Sequence, residues 1–248
     1  MYDLSLIIPI YNEEHRLHKT FIKLNNFTNK NKNKIEVVFV NDGSTDLSTQ
    51  IIKKFISGAN AKNKLLSFKL ITYSTNVGKG YAVKKGVLNS KYSWILICDS
   101  DFSTKPSQFD QWYKKNYIVN NNYRTAYFGS RNHELSKIKA SILRVFFGSI
   151  FRLLTYLLFK ITLKDTQCGF KVFHKRYAKN IFKKIKSYRY AFDIELILLL
   201  KNYKISIEEL PVKWNHENGS KLSLLTDMPK MFLDILKIRM NYPISSKK

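Results

Sequence analysis

The first hundred residues repeat one pattern, in which a short apolar run is followed by a segment with helical spacing. The apolar, β-rich runs are Leu4–Ile10, Ile35–Val40, Phe68–Tyr73 and Trp94–Cys98, and the helical segments between them include Thr45–Ile56 and Lys79–Asn89. A repeated β-α-β pattern predicts a mixed, mostly parallel sheet flanked by helices, which is a Rossmann-like α/β fold. The chain is long enough for one large core, and we expect a single domain over residues 1–248.

Polar and turn-forming residues follow each of the four apolar runs. The first run leads into residues 9–14 (PIYNEE), the second into residues 41–46 (NDGSTD), the third into residues 76–80 (NVGKG) and the fourth into residues 99–101 (DSD). The carboxyl ends of parallel strands lie at one edge of a sheet, where open α/β folds bind their ligands. We therefore expect the four segments to line one crevice.

Asp99 and Asp101 stand one residue apart at the end of the fourth apolar run. Two carboxylates in this position can hold a hard divalent cation, and Mg²⁺ or Mn²⁺ typically completes its coordination shell with water and a substrate diphosphate. Such a pair often occurs by chance on a protein surface, but its place after a buried strand, beside other ligand-like loops, favours a metal site. We predict Asp99 and Asp101 as ligands of Mg²⁺ or Mn²⁺.

The second and third segments suit a nucleotide. The Asp42 carboxylate can accept a hydrogen bond from a base N–H or a ribose hydroxyl, and the alternative of a simple hairpin turn is disfavoured because a predicted helix follows. Residues 76–80 are similar to a phosphate loop at a helix N-terminus, where free N–H groups favour an anion. The segment lacks the full spacing of dinucleotide-binding and Walker loops, which disfavours a dehydrogenase or an ATPase.

The composition is strongly basic, with 43 Lys and Arg against 18 Asp and Glu and a formal net charge of +25. This charge attracts nucleic acid, anionic lipid or phosphorylated substrates, although the accompanying wealth of Asn and Ile also fits a compositional bias of an AT-rich genome. Aromatic residues are not interleaved with Lys and Arg in a recognisable binding motif, so we expect no nucleic-acid partner. The two cysteines and five histidines form no metal-binding pattern, which favours a reducing, cytoplasmic location.

The most apolar stretch is residues 142–162. A membrane-spanning helix is disfavoured there because Arg144, Arg152 and Lys160 interrupt it. On a helical wheel the polar residues, which include Arg152 and Thr155, form a narrow stripe beside a broad apolar face. We expect amphipathic helices at a membrane interface within residues 137–163 and 228–242, the first being either one helix or a pair of helices broken near Gly148; the alternative is a helix that covers the protein's own core.

The four segments together resemble the family-two glycosyltransferases of GT-A fold. Further along the chain, residues 129–131 (GSR), 165–171 (DTQCGFK), 191–196 (AFDIEL) and 219–222 (GSKL) are similar to one branch of that family, the dolichyl-phosphate β-glucosyltransferases. The resemblance covers nearly the whole chain, and the DTQCGFK segment is its most specific part. It implies a metal-dependent hexosyltransferase.

The resemblance also implies roles for individual residues. The residues implied to bind the nucleotide sugar are Pro9, Tyr11, Glu13, Asp42, Lys79, Asp99 and Ser100. Asp101 would be the main metal ligand and take part in catalysis, while Arg131 and Lys221 would face phosphates. Asp193 would serve the acceptor side, and Asp165 and Glu195 are more easily explained as polar groups satisfied inside the core.

The expected reaction is transfer of glucose from UDP-glucose to a polyprenyl monophosphate, with inversion, at the inner face of a membrane. GDP-mannose as the donor and a growing glycan as the acceptor are the alternatives. Relatives in this branch often carry a membrane-spanning segment at one end, and the sequence shows none. Attachment would then depend on the amphipathic helices and on attraction to an anionic membrane surface, with a membrane-protein anchor as a further candidate partner.

Overall fold

The computed structural model describes residues 1–59, 64–119, 123–139, 142–215 and 224–242. The strands within these residues are β1 (Asp3–Ile10), β2 (Lys34–Asp42), β3 (Leu66–Tyr73), β4 (Trp94–Ile97), β5 (Thr125–Ser130), β6 (Lys137–Lys139), β7 (Lys171–His174), β8 (Ser206–Pro211) and β9 (Lys213–Asn215). The helices are α1 (Glu14–Asn29), α2 (Ser48–Ala59), α3 (Lys79–Leu88), α4 (Ser107–Lys114), α5 (Ile142–Phe159), α6 (Lys175–Lys184), α7 (Phe192–Asn202) and α8 (Leu224–Asn241).

Seven of the strands form one sheet in the order β3-β2-β1-β4-β7-β5-β8. Strands β1 to β4 pair in parallel, and β5 is parallel to β8, whereas β7 is antiparallel to both β4 and β5. The predicted mixed, mostly parallel sheet is therefore confirmed. Because β7 is reversed, its amino end lies at the same edge as the carboxyl ends of the other six strands. Strands β6 and β9 pair with each other in a separate parallel ribbon.

Helices cover both faces of the sheet, which explains why the central strands are apolar along their whole length. On one face, the buried side chains come from α3, α5, α6, α7 and α8, with Val83, Phe151, Ile181, Leu196 and Ile235 as examples. On the other face they come from α1, α2 and α4. The sheet is thus the middle of three layers, and its carboxyl edge is left for the loops.

The four strands predicted from the sequence agree with β1 to β4 to within two residues at each end. The predicted helix Lys79–Asn89 agrees with α3, and Thr45–Ile56 corresponds to α2, which lies three residues further along the chain. Strands β5, β7 and β8 were not predicted, since they are short and carry charged or small residues.

The first predicted interface helix is shorter than residues 137–163. The start of the predicted range forms the strand β6 instead of a helix. Helix α5 ends at Phe159 because Lys160 adopts a positive φ of 54°. The helix is continuous through Gly148, so the alternative of a break there is wrong. Thr155, on the polar stripe of the helical wheel, is fully buried, and its hydroxyl donates to the Arg152 carbonyl at 2.9 Å. The second predicted helix, 228–242, corresponds to α8, which begins earlier, at Leu224.

Both α5 and α8 bury one side in the core and expose large apolar side chains on another. On α5 the buried residues include Phe151 and Phe159, while Leu153 and Leu157 are 58% and 56% exposed. The exposed apolar residues of the two helices are Ile150, Leu153, Tyr156, Leu157, Phe232, Leu233, Leu236 and Met240. Among the described residues, no helix combines the length and the apolar character that a membrane span requires.

Candidate active site

The four segments predicted to line a crevice all lie at the carboxyl edge of the sheet, after β1, β2, β3 and β4. Arg131 follows β5 at the same edge, and residues 165–170 precede β7 there. Both halves of the chain therefore supply residues to this edge. Lys221 lies outside the described residues.

The segments after β1 and β2 are bound to each other. The Asn12 N–H donates to the Ser44 hydroxyl at 2.9 Å, and the Thr45 N–H donates to the Asn12 side-chain oxygen at 2.8 Å. The Glu13 N–H donates to the hydroxyl of Ser48 at 2.7 Å. These contacts bring the predicted nucleobase residues of the first segment, Pro9, Tyr11 and Glu13, towards the second segment, which contains Asp42.

Glu13 is buried and forms an ion pair with Arg16, whose Nε and Nη2 both donate to the carboxylate. Arg16 is not among the site residues predicted from the sequence. Its spacing of three residues from Glu13 at the start of a helix is the signal that was available.

The Asp42 carboxylate orders the loop between β3 and α3. Its Oδ1 accepts a hydrogen bond from the Val77 N–H and its Oδ2 from the Gly78 N–H, each at 2.9 Å, and Oδ2 also accepts from the Asn76 amide at 2.9 Å. Two of the backbone amides predicted to bind phosphate are therefore occupied by Asp42. Gly78 has a φ of 125°, and a Cβ there would lie 2.4 Å from the Tyr188 carbonyl oxygen, so this position requires glycine.

Lys79, the first residue of α3, contributes its side chain to the site. Its Nζ lies 2.6 Å from Oδ1 of Asp99. Burial by itself raises the pKa of Asp99, but the charge and hydrogen bond of Lys79, together with the charges of Lys171 and Arg131, outweigh burial, and the pKa falls below its ordinary value. Gly169 also lies against this carboxylate, since an added Cβ would be only 2.0 Å from Oδ2. Asp99 is thus held between the third segment and the segment that precedes β7.

Asp101 is partly exposed, and its Oδ1 accepts a hydrogen bond from the Ser103 N–H at 2.8 Å. Burial, followed by the negative charge of Asp99, raises the pKa of Asp101 above its ordinary value. The like-charge repulsion between Asp99 and Asp101 is the electrostatic condition that a divalent cation relieves. The Ser100 side chain between them is almost entirely buried.

Within the described residues, no group of three or more His, Cys, Asp or Glu side chains could enclose a metal ion. Asp99 and Asp101 nevertheless fit a metal of the Mg²⁺ type, which is commonly held by one or two carboxylates with water and substrate phosphates as the remaining ligands. The protein would supply part of the coordination shell, and a diphosphate would supply another part.

Arg131 is fixed by Asp165. Its Nε and Nη2 donate to the two carboxylate oxygens at 2.7 and 2.9 Å, and its backbone N–H donates to Oδ2 at 2.9 Å. Burial raises the pKa of Asp165, but the charge and hydrogen bonds of Arg131, together with the charge of Lys171, outweigh burial and lower the pKa below its ordinary value. Asp165 is thus the satisfied polar group expected from the sequence. The Arg131 side chain remains about one third exposed, at 32%, so a phosphate can approach it.

Asp193 is paired with Lys171, which is not among the site residues predicted from the sequence. Lys171 Nζ lies 2.9 Å from Oδ1 of Asp193, and the two side chains are only 2% and 6% exposed. The same ammonium donates to the Cys168 carbonyl at 2.5 Å. The available signal for Lys171 was its place at the end of the DTQCGFK segment. Glu195, by contrast, accepts hydrogen bonds from the Lys186 and Ser187 N–H groups, as expected of a satisfied group.

A mostly parallel sheet with carboxylates and cations at its carboxyl edge is the arrangement of nucleotide-binding α/β enzymes. The sequence model of the family described as Glycosyl transferase family 2 matches residues 5–182. This chain belongs to glycosyltransferase family 2.

Among curated proteins, the chain is similar to three proteins that are each named dolichyl-phosphate beta-glucosyltransferase. It is 34% identical to the one from Saccharomyces cerevisiae and 32% identical to those from Homo sapiens and Dictyostelium discoideum. Each alignment covers 96% of this chain, and it covers 75%, 75% and 74% of the yeast, human and Dictyostelium proteins respectively.

Among solved structures, the fold is similar to glucosyl-3-phosphoglycerate synthase from Mycobacterium tuberculosis in two complexes. One contains Mn²⁺, UDP and glucosyl-3-phosphoglycerate and has a TM-score of 0.67 at 16% identity, covering 98% of this chain and 82% of the other. The other contains Mn²⁺ and UDP-glucose and has a TM-score of 0.67 at 15% identity, covering 98% and 81%. The fold is thus that of the GT-A glycosyltransferases, as predicted.

Proposed function

We propose that this chain transfers glucose from UDP-glucose to the phosphate of a polyprenyl monophosphate, with inversion at the anomeric carbon. The observation that carries this proposal is the identity of 32–34%, over 96% of the chain, to proteins named dolichyl-phosphate beta-glucosyltransferase. The carboxylates and cations at the carboxyl edge of the sheet are of the kinds that this reaction needs.

The acceptor needs little activation. A phosphate monoester is largely ionised near neutral pH because its second pKa is about 6. One of its oxygens attacks C1 of glucose, and the bond from C1 to the diphosphate oxygen breaks with its electron pair going to UDP. No strong general base is required, which agrees with the buried Asp193, already paired with Lys171. We assign Asp193 a positioning role on the acceptor side.

The charge that develops on UDP is the main electrostatic demand of the reaction. We propose that Asp99 and Asp101 hold Mg²⁺ or Mn²⁺, which would neutralise part of the charge on the departing diphosphate. Lys79 contacts Asp99 and would lie near the donor phosphates, while Arg131, fixed by Asp165, offers its exposed part to a phosphate of donor or acceptor. Pro9, Tyr11, Glu13 and Asp42 would bind the nucleoside.

The test is release of UDP from UDP-glucose in the presence of Mn²⁺ and a short-chain polyprenyl phosphate. We expect release to require all three components, with little release when the lipid phosphate or the metal is omitted. The matched donor control is GDP-mannose. Equal turnover of GDP-mannose would contradict the glucosyl assignment, and release that is indifferent to the lipid phosphate would contradict the acceptor.

We also propose that α5 and α8 attach the protein peripherally to the inner, cytoplasmic face of a membrane. Among the side chains that the structure describes, within residues 148–159 and 230–241, each helix exposes four large apolar ones although its other side is already buried in the core. Burying such side chains in the interface is favourable, and the charge of +25 adds attraction to anionic lipid. A membrane protein that anchors the chain is a further candidate partner.

The variant Leu153→Glu/Leu157→Glu should weaken binding to vesicles that contain anionic lipid by more than about tenfold, because two exposed leucines lose their burial in the interface. Sedimentation with vesicles measures this. UDP release with a water-soluble short-chain acceptor should stay within about twofold of native, since α5 is outside the proposed catalytic residues. The control is Ile22→Glu, which changes a half-exposed apolar residue on the other face of the sheet. Unchanged vesicle binding in the double variant would rule out α5 as an attachment site.

A further inference from the structure

The segment that carries Asp99 and Asp101 is a turn in an unusual conformation. The Phe102 N–H donates to the Asp99 carbonyl at 3.1 Å, which closes the turn. Phe102 has a positive φ of 49° and is only 1% exposed. A bulky L-residue rarely adopts this conformation, and it persists only where surrounding contacts impose it. Other parts of the molecule must therefore hold the turn.

Helix α1 provides such contacts from a single face. Thr20 and Lys23 lie four and seven residues after Arg16, the spacing that places three side chains on one side of a helix. The Thr20 hydroxyl donates to the Ser100 carbonyl at 2.6 Å, and Lys23 Nζ donates to the Asp101 carbonyl at 2.9 Å. Thr20 is only 2% exposed, so its hydrogen bond is shielded from water.

Arg16 lies one helical turn before Thr20, whose hydroxyl is 3.2 Å from the Arg16 carbonyl oxygen, and its guanidinium is fixed by Glu13. Its Nε and Nη2 are used by Glu13, while Nη1 is buried without a hydrogen-bond partner among the described residues. Burial lowers the pKa of Arg16, but the hydrogen bond and charge of Glu13, followed by the smaller effects of the Asp101 and Asp99 charges, outweigh burial and raise it. The guanidinium is thus within electrostatic reach of both carboxylates of the turn.

We propose that Arg16, Thr20 and Lys23 form a positioning face on α1 that holds the turn of Asp99 and Asp101 in the conformation that binds a metal ion together with a nucleoside diphosphate. The inference rests on the proposed function, which gives these two carboxylates their ligand. Thr20 and Lys23 fix the backbone of the turn, and Arg16 connects it to Glu13. None of the three is a catalytic residue.

The experiment measures the affinity for UDP by calorimetry, once with saturating Mn²⁺ and once with EDTA. Thr20→Val removes one contact and Lys23→Met the other. Each should weaken UDP binding in Mn²⁺ by about three- to tenfold, the usual effect of one hydrogen bond, and change UDP binding in EDTA by less than about twofold. Thr20→Ser keeps the hydroxyl and should restore the native affinity. Lys19→Met, at an exposed position of the same helix, is the matched control for Lys23→Met.

A purely structural role for these residues would lower the melting temperature but leave the ratio of the two UDP affinities unchanged, and that result would overturn the proposal. If Thr20→Val does not fold, the comparison of Lys23→Met with Lys19→Met decides. A native protein that binds no UDP in Mn²⁺ would overturn the proposed function and the positioning face together. If the native protein binds UDP in Mn²⁺ and both Thr20→Val and Lys23→Met bind it equally tightly, the positioning face alone would be overturned.

Discussion

Replacing Asp101 with asparagine is expected to lower the rate of UDP release by about a thousandfold, the scale seen when a main stabiliser of transition-state charge is lost. Asparagine has nearly the same shape and keeps the side-chain oxygen that accepts from the Ser103 N–H. The substitution therefore removes the negative charge with little change to the turn. The rate is measured with UDP-glucose, Mn²⁺ and a short-chain polyprenyl phosphate.

The variant should also lose most of the gain in UDP affinity that Mn²⁺ provides. A matched control is Asp3→Asn, which makes the same chemical change at the amino end of β1, far from the carboxyl edge of the sheet. The control should keep the native rate. A rate for Asp101→Asn within about tenfold of native would show that Asp101 is not a main metal ligand.

Replacing Gly169 with alanine is expected to lower UDP release by about a hundredfold, because displacements of about 1 Å at a reacting centre have effects of this size. The added Cβ would lie 2.0 Å from Oδ2 and 2.3 Å from Cγ of Asp99. No real contact is so short, so the carboxylate must move away and its 2.6 Å contact with Lys79 is lost. The Asp99 side chain is 40% exposed, so its carboxylate can rotate towards water without unfolding the protein.

The prediction therefore separates activity from stability. The melting temperature of Gly169→Ala should fall by no more than a few degrees, corresponding to about 1 kcal/mol. Gly58→Ala is the control, since a Cβ on this residue of α2 meets nothing within 4 Å, and alanine favours a helix. If Gly169→Ala were as active as native, the position of the Asp99 carboxylate would not matter for the reaction.

Much of the site could be predicted because the site residues in the first half of the chain are marked by local sequence patterns. A buried parallel strand is a continuous apolar run, and the polar residues that end it stand next to it in the sequence. The positions of β1 to β4 along the chain and the sheet edge that carries Asp42, Asp99 and Asp101 follow from such signals, and the family motifs add Arg131.

The remaining features depend on contacts between distant residues. Nothing local indicates that Asp42 occupies the amides of Val77 and Gly78, or that Lys171 is buried against Asp193. For the same reason the burial of Thr155 could not be predicted. A helical wheel separates polar from apolar stripes, but the neighbouring elements decide which stripe is buried, and a hydroxyl that bonds within its own helix can enter a core.

The reversed strand β7 has a consequence for synthesis of the chain on the ribosome. Strands β1 to β4 can pair as they emerge, but β4 keeps an open edge until β7 is complete. Strand β5 emerges before both of its partners, β7 and β8, so it stays unpaired until they have been synthesised. Unpaired strand edges invite association with other chains. The interval between the emergence of β4 and that of β7 is therefore when the nascent polypeptide most needs protection from aggregation.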